Sequence, residues 1–541
     1  MNETVVYAAR KIITMDPNRP EASHVAVRDG RVLAVGGRDC ADAWGEVRHD
    51  DRYAGAVLLP GFVEGHAHLM AGAMWRFAYV GYHDRTDPDG GFWKGMRDVE
   101  AVTAGLKAAH ERLPEGEPLV AWGFDPIFLP TERLHRKHID AVTGDRPAMV
   151  MHSNFHLLTA NSAALALAGY DKGTNVEGVL TDAEGPTGEL QEMAAMFPVM
   201  RRLGADFRTL GRTDAALRDY GRACLREGVT TATDLFSTIT LDEVPRIRAV
   251  VDAEDHPIRL VPALGGMGAP AAEIRDTALA LAKLSSDRLR LGAVKLMTDG
   301  SIQGYTARVK WPGYVTGHPN GIWNTAPEQI FELCDVLHSA GIQMHVHVNG
   351  DEASEVTIDA MEAAIAKRPG HDHRHVLQHG QMIGADQFRR MAALGLCANL
   401  FANHIWHFGD QHARLTIGED RACRMDACRA ALDAGVTLAI HSDAPVTPMG
   451  PLTVAWCAAT RLTESGRVLG EAQRISVPEA LHAVTLGAAA TLKLDAEVGS
   501  IECGKRADFA VLAEDPLAVP AEALRDVPVL GTVQGGRHFA A

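Results

Sequence analysis

Residues 56–68, AVLLPGFVEGHAH, decide the fold class, because they form an almost continuous apolar run that ends in two histidines. Strands that are buried on both faces of a parallel sheet have this texture. Seven further runs of the same kind follow, and amphipathic segments of helical length separate most of them. They lie at residues 228–235, 258–264, 291–300, 341–351, 375–380, 395–401 and 436–445. The pattern predicts eight parallel strands of an α/β barrel.

The spacing of these runs supports a repeated unit. From residue 233 onward, most strand ends recur at roughly thirty residues or at twice that distance, which is the length of a βα unit. The gap between His68 and Thr233 is far too long for one crossover. We therefore expect an insertion over residues 75–210, with strand-like pieces at 119–125 and 147–152. Because active sites lie on the loops that follow barrel strands, this insertion is expected to form a lid or a wall of the site.

Both ends of the chain have a different texture, with short strand-like runs separated by turns. The turn signal Arg28-Asp29-Gly30 predicts a hairpin near the start, and similar runs occupy the last fifty residues. We expect residues 1–56 and 493–541 to build one composite β-sandwich. Residues 57–492 would then form the barrel domain that carries the insertion.

Composition narrows the possible partners. The chain has 541 residues, is 46% hydrophobic and carries a formal net charge of −16, which disfavours binding to nucleic acid. The 8 cysteines form no CxxC pair, and no apolar run has the length of a membrane span. The start lacks the pattern of a signal peptide. We expect a cytoplasmic protein that acts on a small molecule, without nucleic-acid or membrane partners, and a homodimer as the commonest oligomer.

Side chains with metal-binding chemistry occupy the ends of the predicted strands. These are His66, His68, Lys295, His347, His379 and Asp443. His345 shares a strand face with His347, so spacing alone leaves both open. Lys295 lies in an apolar strand, where an unpaired ammonium is costly. It either pairs with Asp299 or Glu64, or its neutral amine reacts with carbon dioxide to give a carbamate that bridges two cations.

These motifs also resemble a known family. GFVEGHAH, VKLMTDGS, HVNGDEA, LQHGQ and SDAPV are similar to the strand motifs of the amidohydrolase superfamily, in its YtcJ-like (amidohydrolase family 3) branch, which includes N-substituted formamide deformylase. The resemblance covers nearly the whole chain and implies a distorted TIM (β/α)8 barrel with a small β-sandwich built from both termini. It implies His66 and His68 on one ion and His347, rather than His345, with His379 on the other.

The same resemblance implies a chemistry. Lys295 would be the bridging carbamate, and Asp443 would be both metal ligand and catalytic base. Two divalent ions, most simply Zn²⁺, would support hydrolysis of an amide-like C–N bond by a metal-bound hydroxide, on an N-substituted formamide or N-acyl substrate. Two alternatives stay open: a mononuclear aminohydrolase (deaminase) of the superfamily, which needs no carbamate, and a catalytically degenerate regulatory protein.

Four further residues are expected to contact the substrate. His156 in the insertion matches a position that faces the pocket in family members. His441 lies two residues before Asp443, where the family usually has glycine. Tyr305 stands where an arginine is common in the family, which puts recognition of an anion by that arginine in question. His404 follows the seventh predicted strand.

Overall fold

The computed structural model describes residues 3–129, 132–370 and 372–541. Its central element is an 8-stranded sheet in which every strand pairs in parallel with the next one along the chain. The strands are β1 Phe62–Glu64, β2 Val229–Ser237, β3 Arg259–Gly265, β4 Ala293–Met297, β5 Met344–Val348, β6 Val376–His379, β7 Cys397–Leu400 and β8 Thr437–Ile440. The predicted eight parallel strands are confirmed.

The sheet curls so that its first and last strands approach each other beyond their carboxyl ends. Asp443 N donates to His66 O at 3.0 Å, and His68 N donates to Ala444 O at 2.9 Å. These two bonds tie the segment after β1 to the segment after β8. Side chains that follow both strands therefore share one end of the sheet.

The first barrel strand differs from the prediction. Residues 56–60 do not belong to the parallel sheet, because Leu58 and Leu59 pair antiparallel with Val511 and Ala510 near the other end of the chain. The chain crosses between the two sheets at Gly61, where an added Cβ would overlap the side chain of Thr230. Only Phe62–Glu64 remains as β1, and His66 and His68 lie in the irregular segment beyond it.

Both ends of the chain contribute to one 7-stranded sheet. Its strands are Thr4–Ile13, Glu21–Arg28, Arg31–Gly36, Val47–Pro60, Phe509–Leu512, Val529–Gln534 and Arg537–Ala540. The long strand Val47–Pro60 joins the two halves, because it pairs with the first strand on one side and with Phe509–Leu512 on the other. The expected composite of both termini is thus seen as a single sheet, and its further pairing into a sandwich stays a prediction.

The segment between β1 and β2 has a sheet of its own. Its 6 strands are Ala78–Tyr79, Leu119–Phe124, Ala148–His152, Leu157–Ala160, Val179–Asp182 and Gly185–Gln191. The helices that accompany them are Met70–Ala73, Val99–His110, Arg136–Thr143, Ser162–Ala168, Glu192–Arg202 and Phe207–Gly211. The apolar core of this unit is separate from the core around the barrel strands.

Helices follow the barrel strands and bury one face against them. They are Asp214–Arg226, Val244–Val251, Ala271–Ala282, Pro327–Ser339, Asp351–Lys367, Ala385–Leu394, His404–Gln411, Glu419–Ala422, Cys428–Asp433, Pro451–Thr460, Val477–Ala483 and Leu486–Thr491. A large apolar cluster of valine, isoleucine and leucine side chains lies between these helices and the sheet. Within the described part of the chain, no helix is both long enough and apolar enough to span a bilayer.

Candidate metal centre

Three histidines surround one carboxylate at the carboxyl end of the sheet. Asp443 Oδ1 lies 3.1 Å from His68 Nε2 and 3.4 Å from His66 Nε2, and Asp443 Oδ2 lies 3.6 Å from His379 Nδ1. Burial holds the pKa of His66 and His379 well below the usual range, so both imidazoles are neutral. Neutral nitrogens converging on a carboxylate are the donor set that a divalent cation requires.

Lys295 and His347 complete the set, since both line the same cavity as Asp443. Lys295 is 2% exposed, and its Nζ has no hydrogen-bond partner among the described residues. Burial lowers the pKa of Lys295 to about 7, although Asp443 opposes the shift. A large share of this amine is therefore neutral near pH 7, which is the form that reacts with carbon dioxide. The first of the two alternatives for Lys295, an ion pair with Asp299 or Glu64, is not found among the described residues.

Other buried polar atoms at this centre also lack partners. In the described residues, His379 Nδ1, Asp443 Oδ1 and both ring nitrogens of His441 make no hydrogen bond. Leaving such atoms unsatisfied costs about 1–3 kcal/mol each. Bound cations would satisfy His379 Nδ1 and Asp443 Oδ1, and the ligand atoms of His66, His68 and Asp443 lie within 4.8 Å of one another, so the donor set fits a metal centre.

Gln378 fixes the orientation of two of the histidines, and the sequence analysis did not identify it. Its Oε1 accepts from His66 Nδ1 at 2.8 Å and from Asn399 Nδ2 at 2.9 Å, and its Nε2 donates to His345 Nδ1 at 2.9 Å. Because Nδ1 of His66 is hydrogen-bonded to Gln378, the other ring nitrogen of His66, Nε2, points toward Asp443. His345 is thus a partner of Gln378, whereas His347 lines the cavity. The only sequence signal was the position of Gln378, one residue before His379.

Two buried carboxylates hold the loops that carry the ligands. Asp299 accepts from the backbone N of Asn349 at 3.0 Å and of Gly350 at 2.9 Å, which fixes the turn after His347. Glu64 accepts from Ser442 Oγ at 2.7 Å. Burial raises the pKa of both carboxyls to about 7. They position the loops and do not line the cavity.

The backbone is also unusual at two of the ligands. His379 has a φ of 69° and Asp443 a φ of 54°, which is the left-handed region that most side chains avoid. Residues held in such conformations cluster at functional sites, where the surrounding structure compensates for their cost. Both side chains are thereby turned toward the cavity.

Three of the four expected substrate residues lie at or beside this centre. His156 lines the cavity, and its Nδ1 lies 2.9 Å from Glu192 Oε2. Burial opposes the charge of His156, but Glu192 outweighs it and raises the pKa of that imidazole. His441 stacks on His66 with ring centroids 4.7 Å apart and is not among the residues that line the cavity. His404 borders the neighbouring recess beside His379.

Tyr305 lies elsewhere. Its hydroxyl donates to Leu415 O at 3.2 Å, and its ring stacks on His318 with centroids 3.8 Å apart. It is absent from the residues that line the cavity around Asp443. The structure therefore does not bring Tyr305 to the site, because its ring is packed into an apolar cluster beside Tyr314.

The chain is similar to known proteins along nearly its whole length. A model described as "Amidohydrolase family" matches residues 54–539. The putative amidohydrolase YtcJ of Bacillus subtilis (strain 168) is 26% identical, covering 97% of this chain and 97% of the relative. N-substituted formamide deformylase of Arthrobacter pascens is also 26% identical, covering 97% and 96%. Protein LONG AFTER FAR-RED 3 of Arabidopsis thaliana is 27% identical, covering 98% and 90%.

Solved structures share the fold. An uncharacterized metal-dependent hydrolase from Pyrococcus horikoshii OT3 aligns with a TM-score of 0.72 at 20% identity, covering 96% of this chain and 99% of that one. The atrazine chlorohydrolase TrzN from Arthrobacter aurescens TC1, solved with zinc, aligns with a TM-score of 0.51 at 15% identity, covering 99% and 95%. Because the family model spans most of the sequence, this chain belongs to the amidohydrolase family.

Proposed function

We propose that this protein is a metal-dependent hydrolase that cleaves an amide-like C–N bond of a small molecule, of the N-substituted formamide or N-acyl type. The observation that carries the proposal is the convergence of four histidines, Asp443 and an unpaired buried lysine on one cavity. The choice of substrate type is supported by the similarity to N-substituted formamide deformylase over nearly the whole chain.

The residues divide into two metal-binding groups. His66 and His68 with Asp443 would hold one cation, and His347 and His379 would hold a second. Lys295 lies in the same cavity and would bridge the two as a carbamate: its neutral Nζ bonds to the carbon of carbon dioxide and releases one proton. Nitrogen and carboxylate donors of this kind suit Zn²⁺.

Each polar side chain then has a defined task. Cations held by these residues would supply Lewis-acid chemistry, polarising the scissile carbonyl and lowering the pKa of the attacking water. Asp443 accepts the proton of the attacking water and returns it to the leaving nitrogen. His156, whose pKa is raised beside Glu192, would donate a hydrogen bond to the substrate from the wall next to His347. His404 borders the neighbouring recess, and His441 supports His66 from behind by stacking on its ring.

Lys295 separates this proposal from a mononuclear deaminase. Replacing Lys295 with alanine removes the bridge, so activity is expected to fall and to return when a short carboxylic acid such as acetate or propionate occupies the space. A fully active Lys295→Ala enzyme would favour the deaminase alternative.

The proposal is tested with a panel of small substrates. Zinc-loaded protein is incubated with N-formyl amines, N-acyl amino acids, carbamates and cyclic amides, and release of amine and acid is followed by chromatography. We expect hydrolysis in the N-formyl or N-acyl set, and Asp443→Asn as the matched inactive control. Release of ammonia from amino-substituted heterocycles, with no amide cleavage, would contradict the proposal.

A further inference from the structure

Two arginines at the end of the insertion line the same cavity as the metal-ligand residues. Arg208 lies on the short helix Phe207–Gly211, and Arg212 follows it directly. This helix packs tightly on the chain that continues from His68, since a Cβ added at Gly211 would lie 2.7 Å from Met70 N. The close contact places both guanidinium groups on the cavity wall, and the proposed mechanism gives neither a role.

Arg208 is the arginine with a free guanidinium group. Its guanidinium carbon lies 4.5 Å from the ring centroid of Phe236, and the described residues offer it no ion pair or side-chain hydrogen bond. The carboxylates of Asp206 and Asp234 lie near Arg208 and oppose the lowering of its pKa by burial, but neither forms an ion pair with it, and Asp234 Oδ1 accepts from Leu69 N at 3.1 Å. A guanidinium stays charged in proteins. A guanidinium on a cavity wall whose N–H groups form no ion pair can donate paired hydrogen bonds to an anion.

Arg212 plays a different part. Its Nε donates to Glu243 Oε1 at 3.2 Å, so its charge already has a partner. Its Nη1 donates to the backbone oxygen of Arg208 at 3.2 Å and also to Thr238. Arg212 is therefore a positioning residue that fixes the backbone from which Arg208 projects.

Arg208 also borders an apolar compartment that continues from the cavity. Met70, Phe155 and Met193 line both spaces. The other apolar walls of the compartment are Met151, Phe197, Met200 and Phe207, and Asp206 lines it next to Arg208. The unbranched, polarizable side chains of methionine adapt to apolar groups of varied shape. An anion held by Arg208 would have the metal ligands on one side and this compartment on the other.

We infer that the substrate carries a carboxylate that pairs with Arg208, and that it is an N-acyl amino acid with an apolar side chain. This inference rests on the proposed function, because the amide must lie at the metal centre. The carboxylate binds the guanidinium by paired hydrogen bonds, and the apolar side chain enters the methionine-lined compartment. Arg208 thereby supplies a positive charge at the site, which Tyr305, standing where an arginine is common in the family, does not.

A matched pair of compounds tests this assignment: racemic N-formylleucine and N-formyl isoamylamine, which is the same molecule without the carboxylate. The zinc-loaded enzyme, Arg208→Met and Arg208→Lys are compared by kcat/KM. Arg208→Met keeps the contact with Phe236 and removes the charge, and Arg202→Met on the exposed part of the insertion is the control. Since a charged hydrogen bond contributes about 1.5–3 kcal/mol, we expect Arg208→Met to lower kcat/KM for N-formylleucine by roughly 10- to 100-fold.

The compound without the carboxylate should change by less than about twofold in Arg208→Met, and Arg208→Lys should lie between the two enzymes. Calorimetric titration of both compounds separates this inference from the proposed function. If neither is hydrolysed but N-formylleucine binds more tightly through Arg208, the proposed reaction fails and the carboxylate site stands. Three results would overturn the inference. They are equal binding of the two compounds, binding of neither compound, and an Arg208→Met enzyme that loses kcat/KM equally for both.

Discussion

Replacing Gln378 with methionine should weaken metal binding although Gln378 itself offers no ligand to the metal. The substitution keeps the volume but removes the hydrogen bonds to His66, His345 and Asn399. Three buried polar groups would lose their partner, which costs about 3–9 kcal/mol of unfolding free energy at about 1–3 kcal/mol each. Because His66 would no longer be held with Nε2 toward Asp443, zinc affinity should fall roughly 10- to 100-fold.

Two measurements on the same samples separate positioning from folding. Zinc affinity is measured by competition with a chromogenic chelator, and the unfolding free energy by urea denaturation of the metal-free protein. Gln387→Met is the matched control, since Gln387 is also buried and its Nε2 donates to Asp351 O at 2.8 Å and to Glu355 Oε2 at 2.9 Å, on a helix away from the cavity. It should lose stability and keep zinc affinity. A Gln378→Met protein that binds zinc within about twofold of the original would refute the reasoning.

Two further predictions concern stability. Gly350→Ala should lower the melting temperature, because the added Cβ overlaps the backbone oxygen of Arg308 and such overpacking costs about 1–3 kcal/mol. The control Gly55→Ala has open space around the added Cβ and should change the melting temperature little. Equal melting temperatures of the two variants would contradict this prediction. Glu227→Gln should raise the melting temperature at pH 8 and leave it unchanged at pH 4. Burial raises the pKa of the Glu227 carboxyl to about 7. Below its ordinary pKa this carboxyl is neutral and its burial favours folding; the stability that this provides is lost as the pH rises through about 7 and the buried group becomes charged. A pH-independent difference between the two proteins in scanning fluorimetry would count against it.

The barrel strands were predictable from sequence because each is a short apolar run that carries its own signal. The limit of this reasoning appears at residues 56–60, which have the same texture and yet pair with the far end of the chain. A run of apolar residues indicates that a strand is buried, but it does not indicate which strand pairs with it. Only the crossing at Gly61, against the side chain of Thr230, separates the two sheets.

Residues 477–492 are rich in alanine and leucine, as in a single helix, but the structure has two helices there, Val477–Ala483 and Leu486–Thr491. The break has a tertiary cause, because Val484 O accepts from Val63 N at 2.9 Å and so supports β1. No local propensity encodes such a bond. Tertiary contacts of this kind override helix propensity.

The residues proposed as metal ligands could be selected from sequence because histidines at strand ends have few other reasons to be there, and the structure brings them to one cavity. Gln378 and Arg208 were not, since a glutamine inside a strand and an arginine in an insertion are ordinary residues in sequence. Their roles depend on which side chains the fold brings next to them. The hydrogen bond of Gln378 with His66 and the contact of Arg208 with Phe236 join residues far apart in the sequence, so only the structure shows them.

Amide hydrolysis by this protein should depend on divalent cations bound by the donor set around Asp443. The direct measurement is hydrolysis of an N-formyl or N-acyl substrate during stepwise addition of Zn²⁺ to chelator-stripped protein, with metal content followed by mass spectrometry. We expect activity to vanish without metal and to rise with zinc until His66, His68, His347, His379 and Lys295 are engaged, at about two ions per chain. Full activity in protein freed of metal would contradict the account.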